Sequence, residues 1–122
     1  YLPNNIEPDS VVYTGTHDND TTIGWYSSMD DQQLGHVHAY LQIENDKCNA
    51  LDVLHALIEI AMASKANLAI IPMQDILALD TTHRMNVPGT ATGNWKWRFS
   101  WAQLSQQQKD FFSQLAAQNG RH

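Results

Sequence analysis

The sequence contains a single cysteine, Cys48, so the chain cannot form an internal disulfide. Disulfides are rare in the cytoplasm, where thiols stay reduced, and a cytoplasmic location is therefore expected. Basic residues are also scarce, because 7 Lys and Arg stand against 13 Asp and Glu, for a formal net charge of −6. This balance argues against a surface that binds the phosphate backbone of nucleic acids.

Long apolar runs are missing too, and no stretch approaches the roughly 18 residues that a membrane-spanning helix requires. We therefore expect neither a membrane nor a nucleic acid as a partner. No signal peptide is recognisable, and Tyr-Leu-Pro at positions 1–3 has the character of mid-protein sequence, so we expect further residues before Tyr1. A chain of 122 residues that is 43% hydrophobic fits one small domain or part of a larger one.

The most informative stretch is a β-branched and aromatic run over residues 11–16, which predicts a buried strand. It leads directly into the polar sequence His-Asp-Asn-Asp-Thr at 17–21. Catalytic side chains of α/β barrels lie at the carboxyl ends of strands, so this cluster is a candidate active-site edge. The alternative for Asp18 and Asp20 is structural, because Asp is a common N-cap for a helical turn such as the one predicted at 22–26.

Apolar residues spaced three and four apart predict three longer helices, over residues 30–43, 49–64 and 106–118. An acidic loop is predicted at 44–47. A continuous apolar run over 66–73 predicts a second strand that is parallel to the first, buried on both faces and ended by Pro72. Gln74 and Asp75 then stand at the carboxyl end of that strand. Polar residues at two parallel strand ends indicate one shared cleft.

Residues 79–98 show no periodicity, and a loop of this length inside a compact domain is usually functional. It contains side chains that suit a sugar, namely Asn86, Asn94, Trp95, Trp97 and Arg98. Aromatic rings cover the apolar face of a sugar, while amide and guanidinium groups bond its hydroxyls. The structural alternative is that Trp95 and Trp97 pack the loop onto the body of the protein and that Arg98 pairs with a buried acid.

Four motifs, in order, resemble those of the 4-α-glucanotransferases, the amylomaltases or disproportionating enzymes related to the α-amylases. They are Thr-Gly-Thr-His-Asp-Asn-Asp-Thr-Thr with a following Gly-Trp at 14–25, Ile-Pro-Met-Gln-Asp at 71–75, Arg-Met-Asn-Val-Pro-Gly at 84–89 and Asn-Trp-Lys-Trp-Arg at 94–98. Tyr-Leu-Pro at 1–3 is similar as well, although Asn4 stands where the family pattern has histidine. The resemblance covers essentially the whole chain.

The resemblance implies an α/β fold that is the C-terminal part of a (β/α)8 barrel, with about its last two strands and their helices. Residues 1–122 would form one portion of that catalytic barrel, since a closed barrel takes roughly 250 residues. The implied activity is retaining transfer of α-1,4-glucan segments between maltooligosaccharides, with no cofactor and no metal. No motif of this chain matches the family's nucleophile or its general acid, so the chain alone is expected to be inactive. Its exposed sheet edges predict self-association.

Within the resemblance, Asp18 would be the third catalytic acid, which binds hydroxyls of the sugar at the cleavage point. His17 would bond the same sugar, and Asn86 would line the same end of the cleft. Asp20, Gln74 and Trp95 complete the set of candidate substrate-binding residues. For Asp20 and Gln74 the alternative role is to hold loop conformations.

Two other classes of function stay open. One is a non-catalytic carbohydrate-binding module that uses Trp95 and Trp97 as a platform. The other is a metal-dependent hydrolase that uses His17, Asp18 and His83, although the sequence offers no second ligand cluster with suitable spacing.

Overall fold

Five α-helices and two short strands make up the described part of the chain, which comprises residues 5–44 and 48–121 of this computed structural model. The elements, including two 3-10 turns, are β1 (Val11–Tyr13), α1 (Thr22–Ser27), α2 (Asp31–Leu41), α3 (Ala50–Ala63), β2 (Leu68–Ile70), α4 (Met73–Ile76), the turns Thr81–His83 and Trp101–Gln103, and α5 (Gln106–Gln118). The segment at 1–3, on which the expectation of preceding residues rests, lies outside the described residues. Positions 45–47 of the predicted acidic loop lie outside them as well.

β1 and β2 run parallel, with Val11 opposite Leu68 and Tyr13 opposite Ile70. The predicted parallel pairing is therefore confirmed. The chain passes from one strand to the next through α1, α2 and α3, and parallel strands require a long crossover of this kind.

Both strands are shorter and more exposed than predicted. The sequence predicts strands over 11–16 and 66–73, whereas each strand contains 3 residues. Four side chains that share one face of the sheet are 42% to 51% exposed: Val11, Tyr13, Leu68 and Ile70. The prediction of burial on both faces is wrong, because helices pack on one face only, where Ala69 contacts the core.

Each of the three longer helices begins with a capping box, in which two side chains three residues apart bond each other's backbone N–H. The pairs are Asp30 with Gln33 in α2, Asn49 with Asp52 in α3, and Ser105 with Gln108 in α5. The predicted spans are confirmed to within two residues at either end. α5 ends at Gln118, as predicted, with Asn119 as its C-cap and Gly120 in a left-handed conformation at a φ of +67°.

The core forms between α3 and α5. Leu54, Ile58 and Met62 follow at intervals of four along α3 and pack against Leu115 of α5. The amphipathic pattern on which the helix predictions depend is therefore the pattern that builds this contact.

Arg121 ties the end of α5 to the end of α3. Its Nε donates to the carbonyl oxygen of Met62 at 2.7 Å, and its Nη2 donates to those of Ser64 at 3.0 Å and Ala66 at 2.8 Å. The last carbonyls of a helix lack partners within the helix, and a cation is favourable there. One side chain thus satisfies three acceptors where the chain turns from α3 towards β2.

His36 and His38 both lie on α2, so their side chains point to different sides of the helix. His38 is 5% exposed, and its Nε2 lies 2.7 Å from Tyr26 Oη. Across the residues described, no helix combines the length and the apolar character needed to cross a membrane.

Candidate active site

A tight turn follows β1 and carries His17 and Asp18 at its tip. Asn19 closes the turn, because its Oδ1 accepts from the N–H of Thr16 at 2.7 Å and from the Thr16 hydroxyl at 3.0 Å. The N–H of Asn19 in turn donates to the carbonyl oxygen of Thr16 at 3.1 Å. The two side chains between them are left about half exposed, at 53% and 54%.

α1 begins directly after this turn, and Thr21 is its N-cap. The Thr21 hydroxyl oxygen accepts from the N–H of Gly24 at 3.0 Å. The interpretation of Asp18 or Asp20 as the N-cap is therefore wrong. The Asp18 carboxylate is free for another role.

A cavity of about 660 Å³ opens at the carboxyl ends of the two strands. The predicted site residues that line it are His17, Asp18, Asp20, Gln74 and Trp95. Asn86 is not part of this lining and reaches the site through a bond to Asp18. Asp75 and Arg84 also line the cavity, although they are not among the predicted site residues. The shared cleft is thus present where the two strand ends meet.

The Asp18 carboxylate is oriented from two sides. Its Oδ1 accepts from Asn86 Nδ2 at 2.7 Å, and its Oδ2 lies 3.2 Å from His17 Nε2. The backbone carbonyl of Asp18 accepts from Arg84 Nη2 at 3.2 Å. Since the carboxylate keeps about half of its surface exposed to the cavity, it retains acceptor positions for a ligand.

Trp95 lies beside His17, with ring centroids 5.0 Å apart and the ring planes tilted by 41°. The indole is 62% exposed. Its backbone has a left-handed φ of +61°, an uncommon conformation for a bulky residue, and its N–H donates to the carbonyl of Met85 at 2.8 Å. The left-handed backbone and this hydrogen bond hold the Trp95 ring at the rim of the cavity that it lines.

Trp97 has a structural role. Its Nε1 donates to His83 Nδ1 at 3.1 Å, and its ring stacks on Phe99 at a centroid distance of 5.7 Å. Trp97 therefore packs the loop, as the structural alternative predicts, whereas Trp95 lines the cavity. Trp97 does not line the cavity, so the two rings form no common platform there.

Asn94 and Arg98, two other polar residues of the loop, lie away from the cavity. Asn94 accepts from the N–H of Val87 at 2.9 Å and donates to Thr90, which closes the turn between them. Arg98 is exposed and so is not the partner of a buried acid. Neither residue lines the cavity.

Asp20 and Gln74 line the cavity and also hold loops, as their structural alternative predicts. Asp20 Oδ2 accepts from the Thr81 hydroxyl at 2.9 Å, and Oδ1 accepts from the N–H of Thr21 at 2.7 Å. Gln74 Nε2 donates to the carbonyl of His83 at 3.3 Å. Both contacts join the cavity wall to the 3-10 turn at Thr81–His83.

Asp80 is the N-cap of that 3-10 turn. Its Oδ1 accepts from the hydroxyl of Thr82 at 2.6 Å and from the N–H of Thr82 at 3.1 Å. These two hydrogen bonds, together with the nearby His83, hold the pKa of the Asp80 carboxyl below its ordinary value.

Asp75 and Arg84 are the residues that sequence reasoning missed. Asp75 is 3% exposed and accepts hydrogen bonds from Thr14 and Thr22, on either side of the Asp18 turn. Its signals in the sequence were its position at a predicted strand end, behind an apolar run, and its place in the motif at 71–75. For Arg84, which bonds Asp18, the sequence carries no comparable signal apart from its motif.

The metal-dependent hydrolase interpretation needs His17, Asp18 and His83 together. His83 Nδ1 is instead engaged by Trp97. In the ranges 5–44 and 48–121, no group of three or more His, Cys, Asp or Glu side chains is arranged to hold a metal ion. The site therefore offers hydrogen-bonding and aromatic groups, which suit a polyhydroxylated ligand.

Comparison with known proteins identifies the relatives of this chain. A family model described as 4-alpha-glucanotransferase matches residues 1–105. The 4-alpha-glucanotransferase of Synechocystis sp. is 50% identical over 109 residues, which are 86% of this chain and 20% of the relative. The chloroplastic/amyloplastic 4-alpha-glucanotransferase of Solanum tuberosum is 48% identical over 99 residues, or 80% and 16% of the two chains. The chain thus spans about a fifth of the length of the curated relatives it matches.

A solved structure is similar as well. The amylomaltase from Streptococcus agalactiae, in complex with acarbose, superposes with a TM-score of 0.86 at 27% sequence identity. The match covers 98% of this chain and 23% of that enzyme.

Proposed function

The chain belongs to the 4-alpha-glucanotransferase family, and we propose that it is part of an enzyme that transfers α-1,4-glucan segments between maltooligosaccharides with retention of configuration. The observation that carries the proposal is the Asp18 carboxylate, which Asn86 and His17 orient in a cavity beside the exposed ring of Trp95. A carboxylate next to an aromatic ring suits a sugar, because the hydroxyls bond the charge while an apolar sugar face covers the ring.

Retaining transfer requires a nucleophilic carboxylate and a carboxylic acid about 5–5.5 Å apart. Both of these groups come from parts of the enzyme outside this chain. Asp18 is the third carboxylate: it accepts hydrogen bonds from hydroxyls of the sugar at the cleavage point and favours the distorted, oxocarbenium-like state. His17 bonds the same sugar, and Trp95 covers an apolar sugar face. The main role of Asn86 is to orient the Asp18 carboxylate through their hydrogen bond, and not to bind the sugar itself.

Asp20 and Gln74 have supporting roles in this proposal. Their side chains are engaged by Thr81 and by the carbonyl of His83, so they shape the wall of the cavity. The exposed remainder of each side chain is available to an outer part of the glucan.

At a finer level we propose that residues 1–122 are the C-terminal portion of a (β/α)8 barrel and contain about its last two strands. The parallel pairing of β1 and β2 supports this, as does a cavity at their carboxyl ends, where barrel enzymes hold their active sites. The uncovered face of the two-stranded sheet also supports it, because further strands and helices of a longer protein would cover it. The single Cys48 supports a reducing compartment, and we propose the cytoplasm.

The proposal is tested with the full-length protein that carries this sequence, by measuring glucose release from maltotriose. Asp18→Asn removes the charge at constant volume and is expected to lower kcat roughly 100-fold or more while oligosaccharide binding persists. Asp110→Asn is the matched control, since that exposed carboxylate lies on α5 outside the cavity. Wild-type turnover by Asp18→Asn would refute the catalytic role.

The isolated 122-residue chain gives a second test. It is expected to release no glucose from maltotriose and to associate with itself through its uncovered sheet face. If this chain released glucose, and Asp18→Ala abolished the release, the proposal that the nucleophile and the general acid lie outside this chain would be refuted. Saturable oligosaccharide binding that ignores Asp18→Asn, without turnover in the full-length protein, would point to a non-catalytic binding module instead.

A further inference from the structure

Asp75 is the most deeply buried carboxylate among the described residues, with 3% of its surface exposed. A carboxylate removed from water needs hydrogen bonds or an opposite charge to offset its lost hydration. The structure gives Asp75 three hydrogen bonds, and all of them come from Thr14 and Thr22. An apolar side chain of similar volume would fill the same space at lower cost, so the carboxylate points to a role beyond packing.

The two threonines stand at the two ends of the segment that carries the site. Thr14 directly follows β1, and Thr22 is the first residue of α1. Residues 15–21 between them contain His17 and Asp18. Asp75 belongs to α4, beyond the end of β2, and therefore bonds both ends of that segment from the neighbouring strand.

The two oxygens of Asp75 have different tasks. Oδ2 accepts from both hydroxyls, at 2.7 Å from Thr14 Oγ1 and 2.8 Å from Thr22 Oγ1. Oδ1 accepts from the backbone N–H of Thr22 at 2.9 Å. Only an acceptor with several lone pairs at both atoms can receive all three donors, and an ionised carboxylate is such a group.

We infer that Asp75 is a positioning residue that sets the geometry of Asp18 by clamping both ends of the segment between Thr14 and Thr22. This inference rests on the proposed function, in which Asp18 contacts the sugar at the cleavage point. Displacement of a catalytic group by about 1 Å lowers turnover by up to roughly 100-fold, so the clamp acts on kcat. Asp75 itself lies beneath the turn and exerts its effect through Asp18.

Asp75→Asn tests this at nearly constant volume. The amide oxygen still accepts from the N–H of Thr22, but Nδ2 only donates and cannot receive the hydroxyls of Thr14 and Thr22. Both hydroxyls must turn to accept from Nδ2, so hydrogen bonds to a charged group are replaced by neutral ones of about half the strength, and the segment is held less firmly. In the full-length protein, kcat for maltotriose disproportionation is expected to fall roughly 10- to 100-fold while KM changes by less than about threefold. Thr14→Val, which removes a single donor, is the milder variant and is expected to lower kcat a few-fold.

A double-mutant cycle separates positioning from general stability. In an Asp18→Asn background, Asp75→Asn is expected to cause little further loss of kcat, because the group it positions is already gone. The fall in melting temperature is expected to be equal in both backgrounds. Equal fold losses of kcat in both backgrounds would refute the inference and assign Asp75 a purely structural role. A wild-type kcat for both Asp75→Asn and Thr14→Val would refute it too.

A readout that does not depend on activity keeps the two proposals distinct. Amide hydrogen exchange over residues 15–21 is expected to quicken in Asp75→Asn and in Thr14→Val, whether or not the protein acts on glucans. Unchanged exchange would overturn the clamp even in an active enzyme. If the wild-type protein showed no turnover of maltotriose while exchange quickened in the variants, the proposed function would be refuted and the clamp by Asp75 would still stand.

Discussion

Asn86 Nδ2 donates a 2.7 Å hydrogen bond to Oδ1 of Asp18, across 68 residues of sequence. The same Asp18 carboxylate meets His17 through its other oxygen, at 3.2 Å. The pair of contacts fixes the plane of the carboxylate before any ligand enters. A group that is already oriented needs no rearrangement during the reaction, which is the main source of electrostatic stabilisation in active sites.

In the full-length protein that carries this sequence, Asn86→Ala is expected to lower kcat for maltotriose disproportionation by roughly 10- to 100-fold, since a hydrogen bond to a charged group contributes about 1.5–3 kcal/mol. Asn86→Asp is expected to be worse, because it sets a second carboxylate against Asp18. Steady-state kinetics of the two variants provide the check. Equal activity of the alanine and aspartate variants would contradict the electrostatic explanation.

Trp95 and Trp97 are expected to respond differently to substitution. Trp95→Ala removes an exposed ring of the cavity, and KM of the full-length protein for maltooligosaccharides is expected to rise about tenfold, which corresponds to about 1.4 kcal/mol of binding free energy. Trp97→Ala breaks the bond to His83 and is expected to lower the melting temperature with little change in KM. Trp101→Ala, at a ring that is 74% exposed outside the cavity, is the control. A larger KM effect at Trp97 than at Trp95 would reverse the assignment.

Gly24 is expected to resist substitution because of Asp20. A Cβ at position 24 would overlap Asp20 Oδ1, so Gly24→Ala must displace the carboxylate from its contact with Thr81. The expected cost is about 1–3 kcal/mol of unfolding free energy, with lower activity. Gly35→Ala is the matched control: nothing lies within 4 Å of the added methyl, and helix propensity predicts a gain of up to about 1 kcal/mol. Denaturant unfolding of both variants compares them.

Asp80 predicts a pH dependence of stability. Its hydrogen bonds with Thr82 lower the pKa of the carboxyl in the folded state, so its ionised form stabilises the fold above the unfolded-state pKa, near about 3.9. This contribution is lost as the pH falls through the lower folded-state pKa. Wild type is therefore expected to exceed Asp80→Asn in stability at neutral pH, and the difference is expected to shrink below about pH 4. Unfolding curves of both proteins recorded from neutral pH to below about pH 4 provide the check. A difference in unfolding free energy that stayed constant with pH would contradict the prediction.

The helices were predictable because their signals are local. A capping box needs only two polar side chains three residues apart, such as Asn49 and Asp52, and the apolar face follows at fixed spacing. Parallel pairing was predictable from the length of chain between the strands. Strand burial was not, because the exposure of Val11 or Ile70 depends on which remote elements cover the sheet.

The site was predictable only in part, for a similar reason. His17 and Asp18 were identified because they follow a strand directly and carry a family-like motif. The loop-holding alternative for Asp20 was foreseen, but its partner Thr81 was not, because 61 residues separate them. Asp75 was placed at the strand end beside the cleft, but its three contacts with the distant Thr14 and Thr22 were not foreseen, because no pattern of neighbouring residues encodes them.

The hydrogen bonds of Arg121 affect the order in which parts of this protein become fixed during synthesis. The carbonyl of Ala66, to which it donates, leaves the ribosome 55 residues earlier. At a translation rate of roughly 5–20 residues per second, this carbonyl and its neighbours stay without the Arg121 donor for about 3–11 s. During that interval water must satisfy the last carbonyl groups of α3, because the packing of Leu115 against α3 supplies no donor to them. The link between α3 and β2 therefore becomes fixed only after α5 has been synthesised.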